Sequence, residues 1–169
     1  MAALSLLIGT LCLGVICDPR LAERYSATEF RSNSISQYGY LEILDSAGLV
    51  VKVNAWGSPR DPASYVTDLQ IRNRSKKSAA LETGDAGISL GGVELSTKLL
   101  SLHWADGEGS ITGTVIAIPR GAEVFVRLLS SDTILTDYVD EFWVRPGQIT
   151  LDNGVAITLD SVRFKHGTP

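Results

Sequence analysis

Residues 64–73, SYVTDLQIRN, decide the fold of this chain. The odd-numbered positions, from Tyr65 to Ile71, carry mostly apolar side chains, and the even-numbered positions carry mostly polar ones. Successive side chains of a strand point to opposite faces. A period of two therefore predicts a strand with one face on a core and the other toward water. The polar run 73–78, NRSKKS, predicts a turn directly after it.

Much of the chain after residue 36 repeats this plan of short strand and turn. Gly91-Gly92 and Asp152-Asn153-Gly154 are turn signals of the kind that close tight hairpins. Residues 112–118 and 155–164 are each predicted to form one strand. About ten short strands, with turns roughly every 8 to 12 residues and no helical period after residue 30, predict an all-β fold, an antiparallel sandwich or barrel.

Composition restricts the class of protein. The chain has 169 residues, 44% hydrophobic and 20% charged, which suits one soluble globular domain preceded by a leader. Its net charge of −4 and the absence of a basic stripe argue against nucleic acid, because phosphate binding needs clustered Lys and Arg. The basic side chains at 72, 74, 76 and 77 are interpreted as a solvated turn.

Both cysteines, Cys12 and Cys17, lie in the first seventeen residues. The predicted domain therefore has no cysteine for a disulfide, a catalytic thiolate or a metal site. The hydrophobic core must hold the fold together alone.

The segment Met1–Cys17 is uncharged and almost wholly apolar. As a helix it would span about 25 Å, which suits the apolar region of a secretory signal better than a full membrane span. Three interpretations stay open. Signal peptidase could cleave after Cys17, or 13–17 could act as a lipobox with Cys17 as the lipidated residue. Alternatively, Met1–Cys17 is the first strand of a cytosolic or viral structural protein.

Residues 18–35 are predicted to form a linker or a short helix between the signal or anchor segment 1–17 and the β-sandwich domain 36–169. Asp18 and Pro19 suit the N-cap and first position of a helix reaching to about Phe30. The run 32–36, SNSIS, has linker composition and marks the domain boundary.

Three segments together resemble immunoglobulin-like extracytoplasmic sandwiches. They are strand 64–73 with its Asn73-Arg74-Ser75 turn, then 88–95, ISLGGVEL, and 118–128, IPRGAEVFVRL. The pattern is similar to bacterial accessory domains of the mycobacterial immunoprotective-antigen type, and more faintly to the WHy sandwich. The resemblance implies an immunoglobulin-like β-sandwich that is secreted or tethered to the cell surface, with no catalytic residues to carry over.

Asp106 and Glu108 are the only metal candidates that the sequence offers. With Gly107 between them they could give two oxygen ligands to Ca²⁺, although a calcium loop normally supplies five or six. A plain turn is the favoured interpretation. His103 and His166 each lack a second histidine at ligand spacing, so no zinc site is predicted.

An acidic run follows Ser130, made of Asp132, Asp137, Asp140 and Glu141. Paired carboxylates could perform general acid–base chemistry, as in glycosidases, but their spacing fits no recurrent catalytic pattern. No nucleophile elbow and no phosphate-binding glycine loop occurs. We therefore assign no catalytic residue and no cofactor, and expect no enzyme activity.

Three tryptophans, Trp56, Trp104 and Trp143, each lie near the end of a predicted strand. Core or rim packing explains them, and the alternative is a shared aromatic binding surface. Asn73-Arg74-Ser75 is also a formal glycosylation sequon.

The sequence favours an exported, envelope-associated, non-enzymatic β-sandwich that is periplasmic, secreted or on the cell surface. We expect it to bind a protein or polymer partner through loops or an edge strand, or to serve as a structural subunit of a surface assembly. Its N-terminal segment would attach it to the membrane. The alternative is a small carbohydrate-binding or hydrolytic domain using Trp104, Asp106, Glu108 and the acidic loop 132–141.

Overall fold

The computed structural model describes residues 23–29, 40–58, 63–132 and 141–166. Within these ranges the chain forms fifteen strands and no helix, and every strand pair is antiparallel. The prediction of an all-β antiparallel fold is confirmed. The strands are β1 (Glu23–Glu29), β2 (Leu41–Ser46), β3 (Leu49–Ser58), β4 (Ala63–Asn73), β5 (Ala79–Glu82), β6 (Gly87–Leu90), β7 (Val93–Ser96), β8 (Lys98–Asp106), β9 (Ser110–Thr112), β10 (Val115–Ile118), β11 (Glu123–Asp132), β12 (Glu141–Arg145), β13 (Gln148–Leu151), β14 (Ala156–Thr158) and β15 (Val162–His166).

The strands form two hydrogen-bonded sheets. The ten-stranded sheet runs β7-β6-β12-β15-β1-β3-β4-β11-β8, with β2 also paired to β3. The five-stranded sheet runs β14-β13-β5-β10-β9. The two sheets are linked by consecutive strands. β5 and β13 pair in the five-stranded sheet, and the strands next to them in sequence, β6 and β12, pair in the ten-stranded sheet.

The ten-stranded sheet folds over on itself at β1. The ring of Tyr65 on β4 meets the ring of Phe142 on β12 edge to face, 5.2 Å between centroids, although the two strands lie far apart in the strand order. We call β2, β3, β4, β8 and β11 the first layer, and β5–β7, β9, β10 and β12–β15 the second. Buried side chains of both layers form one core, as expected for a β-sandwich.

Strand β4 lies in the middle of the first layer, between β3 and β11. Tyr65, Leu69 and Ile71 are buried in the core, as the alternation predicted. The opposite face is less exposed to water than the sequence predicted, because Val66 and Asp68 on that face are buried as well. The outer face of the first layer is therefore partly covered near the start of β4.

Residues 23–29 form a strand, so the prediction of a linker or short helix over 18–35 is wrong for this part of the chain. Glu23 and Arg24 pair with β3, whereas residues from Tyr25 onward pair with β15. These pairings give the segment backbone partners on both layers, and such tertiary pairing outweighs helix-capping signals. The sheet consequently reaches back to Glu23 instead of beginning near residue 36.

Two segments predicted as single strands are divided. Residues 112–118 break at Gly113, whose φ of 59° turns the chain between β9 and β10. Residues 155–164 break at 159–161, because β14 pairs with β13 in one part of the second layer and β15 with β12 in another. The chain must cross between these two positions, so one continuous strand cannot serve both.

Candidate interaction surface

Strand β8 is one end of the ten-stranded sheet. It pairs with β11, and no other described strand pairs with it. Its second edge therefore presents a row of backbone N–H and C=O groups that no strand of the described residues satisfies. Such an edge can receive an additional strand.

Seven of the nine β8 residues are exposed, and only Leu102 and Trp104 are half-buried. Leu99 and Leu100 keep 37% and 43% of their surface in water. Natural sheet edges are usually protected by charges or prolines. Between the terminal residues Lys98 and Asp106, β8 contains neither an acidic nor a basic side chain apart from His103, and no proline.

The pairing of β8 with β11 is regular only over Ser101–Trp104. The register shifts on either side, so Leu100 and Ala105 have no partner residue on β11. These two irregularities leave part of the strand displaced from a regular ladder. The exposure of Leu100 follows from its place at one of them.

Trp104 packs inward against the core instead of forming a surface platform. Its indole lies over Gly109, where a Cβ atom would overlap both this ring and the carbonyl oxygen of Ala117. Trp104 thus closes the core at the β8 edge. The glycine is required there by close approach.

Asp106 and Glu108 are both exposed at the end of β8 and in the turn that follows. No group of three or more His, Cys, Asp or Glu side chains suited to a metal occurs among the described residues. Asp106 and Glu108 therefore have no third side chain of these types grouped with them in the described part of the chain.

A polar cluster that the sequence analysis missed lies on the outer face of the first layer. Arg127 donates to both carboxylate oxygens of Asp68, from Nε at 2.6 Å and from Nη2 at 3.0 Å. The Trp56 indole N–H donates to Asp68 Oδ2 at 3.1 Å, and the Arg127 guanidinium lies 5.7 Å from the Trp56 ring centroid. The Asp68 carboxylate is thus satisfied by side chains of the neighbouring strands.

Tyr40 lies within the electrostatic reach of this cluster. Burial, and secondly the negative charge of Asp68, raise the pKa of Tyr40 to about 12, while Arg127 acts in the opposite direction. The neutral phenol is therefore favoured in the folded chain. The only sequence signal for the cluster was the polar position 68 within the alternating strand.

The three tryptophans do not gather into one surface. Trp56 lies on the outer face of the first layer and Trp104 faces the core. Trp143 is 39% exposed on the second layer, where the guanidinium of Arg163 lies 5.7 Å from its ring centroid. The alternative interpretation of one shared aromatic surface does not fit this placement, because their strands present the three residues on different faces.

Of the acidic run, Glu141 begins β12 and its Oε2 lies 3.5 Å from Lys165 Nζ and 3.9 Å from Arg163 Nη1. Glu141 thus has basic partners on β15. Asp132 ends β11. Asp137 and Asp140 lie outside the described residues, so the predicted acidic loop is only partly placed.

Asn73 is fully buried at the end of β4. Its Nδ2 donates to the carbonyl oxygens of Lys77, Ile118 and Pro119 at 2.9 to 3.1 Å, and its Oδ1 accepts from Ser75 N and Oγ. The formal sequon is therefore a structural corner of the folded chain, in which the Asn73 amide is buried and hydrogen-bonded through both its nitrogen and its oxygen.

An open cleft of about 470 Å³ lies where the second layer divides between β12 and β13. Arg145 borders it and is engaged by the Asp85 carbonyl oxygen, 2.7 Å from its Nε. The side chains of Gln148, Thr158 and Asp160 line the same cleft. None of the described residues that line the cleft is aromatic.

Met1–Cys17, including the lipidation candidate Cys17, lies outside the described residues. Among the residues that are described, there is no helix with the length and apolar character needed to cross a bilayer.

No protein-family model matches the chain, and no curated protein matches it. Among solved structures, the chain is similar to the crystal structure of a FixG-related protein from Vibrio parahaemolyticus. The identity is 11%, the match covers 70% of this chain and 97% of that chain, and the TM-score is 0.32. A likeness of this strength carries no argument about the fold or the function.

Proposed function

We propose that this chain is an exported, envelope-associated and non-enzymatic β-sandwich of the immunoglobulin-like kind. It binds a protein or polymer partner through the β8 edge, or serves in this way as a structural subunit of a surface assembly. The observation that carries the proposal is β8 itself, a nine-residue strand with exposed Leu99 and Leu100 and with one edge that no described strand pairs with.

The chemistry of strand addition supports this function. An extended partner that lies beside β8 gains main-chain hydrogen bonds, and its side chains provide specificity against those of β8. Covering Leu99 and Leu100 also removes apolar surface from water, which favours association. The hydrogen bonds and the apolar burial both require only that the partner be extended and lie along the β8 edge.

The apolar segment Met1–Cys17 supports export, and Cys17 supports tethering through a lipid. Intact mass after fractionation of the native host tests this part. We expect an envelope-bound chain that has lost sixteen residues and gained a diacylglycerol on Cys17, or an exported chain cleaved after Cys17. An unprocessed chain in the cytosolic fraction would contradict export.

Photo-crosslinking in intact cells of the native host tests the edge. A photoreactive phenylalanine replaces Leu100 in the full chain, and in a control chain it replaces Val155, which is 48% exposed in the β13–β14 connection. We expect a discrete adduct from position 100 in the envelope fraction and none from position 155. Equal labelling at both positions, or no adduct at position 100, would contradict binding at β8.

A further inference from the structure

The two charged side chains of β8 lie at its opposite ends and have opposite signs. Lys98 begins the strand and Asp106 ends it. Both side chains are exposed, and neither takes part in an ion pair among the described residues. A strand with this arrangement is complementary to an antiparallel copy of itself, because each Lys98 then faces Asp106 of the second copy.

We propose that two copies of this chain associate through their β8 edges, antiparallel, around a two-fold axis at Leu102. The first layers of the two copies then form one continuous sheet. The inference rests on the proposed function and names the partner of the β8 edge as a second copy of this chain.

The register follows from the position of the axis. With Leu102 opposite Leu102 of the second copy, Lys98 lies opposite Asp106 and Ser101 lies opposite His103. Leu100 lies opposite Trp104, so apolar residues face each other between the terminal ion pairs. No like charges are brought together over the length of β8. The interface is isologous, which is the usual geometry of a homodimer.

The two charges also lie on the same face of the sheet. Lys98 pairs with Leu129 and Asp106 with Glu123, and both partners alternate with core residues of β11. Lys98 and Asp106 consequently face outward. A two-fold axis perpendicular to the sheet keeps the outer faces of both copies on one side, so the opposite charges can meet.

The register shifts of β8 are compatible with this arrangement. The residues without a partner on β11, Leu100 and Ala105, flank the regular segment Ser101–Trp104, which contains the axis. One shift places Lys98 outward and the other does the same for Asp106. The two irregularities therefore place Lys98 and Asp106 on the same face of the sheet, and the charge pairing in the dimer depends on this.

The size of the interface predicts its strength. A nine-residue strand extends about 30 Å at 3.3 Å per residue, and an edge contact covers less than the roughly 800 Å² per partner of a standard stable interface. We therefore expect a reversible dimer whose population rises with concentration. Burial of Leu99 and Leu100 adds to the hydrogen bonds of the ladder.

Charge reversal in the full chain tests the proposal. In Lys98→Asp, two acidic pairs replace the ion pairs of the dimer, and in Asp106→Lys two basic pairs do. We expect each variant alone to dimerise at least tenfold more weakly than the wild-type chain. A mixture of the two, and a chain that carries both substitutions, should regain wild-type dimerisation because every pair is again opposite in sign.

Sedimentation velocity over a concentration series, in one detergent for all variants, gives the dissociation constants. Glu108→Lys is the matched control, since it reverses another exposed charge two residues beyond β8, and it should dimerise like the wild type. Thermal unfolding, measured at a concentration at which every chain is monomeric, should be unchanged by all these exposed substitutions. Association through the apolar leader would leave every variant equal to the wild type and would overturn the inference.

A wild-type chain that stays monomeric up to about 1 mM would also overturn it. The crosslink from position 100 separates this failure from failure of the proposed function. An adduct with a different protein would retain binding at β8 and reject the second copy. No adduct, together with a monomeric chain, would reject both.

Discussion

The Arg127 guanidinium holds the Asp68 carboxylate at two points across neighbouring strands, with Nε–Oδ1 at 2.6 Å and Nη2–Oδ2 at 3.0 Å. The carboxylate side chain is only 12% exposed. Trp56 adds its indole N–H to the same carboxylate. A charge in this position is costly to leave without its partner, because few water molecules can replace the lost hydrogen bonds.

We predict that Asp68→Asn lowers the free energy of unfolding by about 2 kcal/mol, since the half-exposed Arg127 then faces a neutral amide. Urea unfolding measures the change. Glu94→Gln is the control, because Glu94 and its partner Arg145 are both more than half exposed at 3.4 Å. That pair should contribute less than about 1 kcal/mol. Equal losses from both variants would show that burial adds nothing to the Asp68–Arg127 pair.

The pKa of Tyr40 predicts a loss of stability at alkaline pH. Burial raises it from 10.0 to about 12, so the folded chain keeps the phenol proton where the unfolded chain releases it. The unfolded state then binds fewer protons, and stability falls as pH rises from about 10 to 12. Below pH 10 both states hold the proton and this contribution is constant.

Denaturant unfolding of the wild type and Tyr40→Phe at several pH values between 9 and 12 tests the assignment. Lysine titration affects both chains alike, so the difference between them isolates Tyr40. We expect the wild type to lose more stability than the variant across this window. Parallel pH profiles would contradict a raised pKa at this residue.

Asn73 is predicted to be the most sensitive polar position of the described chain. Removing its amide takes one donor from each of the carbonyl oxygens of Lys77, Ile118 and Pro119, and takes the Oδ1 acceptor from the N–H of Ser75. Lys77 O keeps the Ser75 hydroxyl and Pro119 O keeps the N–H of Ala122. Because the site is fully buried, Asn73→Ala should lower the free energy of unfolding by about 3 kcal/mol or more.

Asn54→Ala is the control for this measurement. Asn54 is half-buried, and among the described residues its Oδ1 accepts from the N–H of the next residue alone, Ala55, at 2.9 Å. Its loss should cost less than about 1 kcal/mol. If Asn73→Ala were equally mild in thermal or urea unfolding, the corner after β4 would not depend on the asparagine.

The sequence predicts strands correctly where the local pattern of apolar and polar residues agrees with which face of the sheet is buried. The alternation of residues 64–73 placed Tyr65, Leu69 and Ile71 in the core correctly, because a sheet with one buried face imposes a period of two. Glycine signals at Gly91-Gly92 and Gly154 mark observed turns with positive φ. These features are short-range, so they can be seen in one stretch of chain.

Other features depend on distant partners and left no local signal. The helix-capping pattern near Asp18 gave no indication that residues 23–29 pair with both β3 and β15. The Asp68–Arg127 pair joins residues 59 positions apart. The three tryptophans looked alike in sequence, but sheet topology places them on different faces. Predicting such relations requires the strand order, which the pattern of single strands does not contain.

Close packing at Gly109 predicts that the β8 edge is rigidly joined to the core. A Cβ atom at this position would overlap the carbonyl oxygen of Ala117, which belongs to the backbone, and the indole of Trp104. Neither can move without separating β8 from the core or disturbing β10. Gly109→Ala should therefore lower the free energy of unfolding by about 3 kcal/mol, as overpacked sites do.

Gly84→Ala is the matched control, because the nearest atom to its added Cβ would be Thr114 Oγ1 at 3.4 Å, an ordinary contact. We expect a change within about 1 kcal/mol for it. Urea unfolding followed by circular dichroism compares the two variants. Displacement of Trp104 in Gly109→Ala should also shift tryptophan emission to longer wavelength. Equal stability of the two variants would mean that Trp104 does not close the core at β8, and that this edge can move independently of the layer behind it.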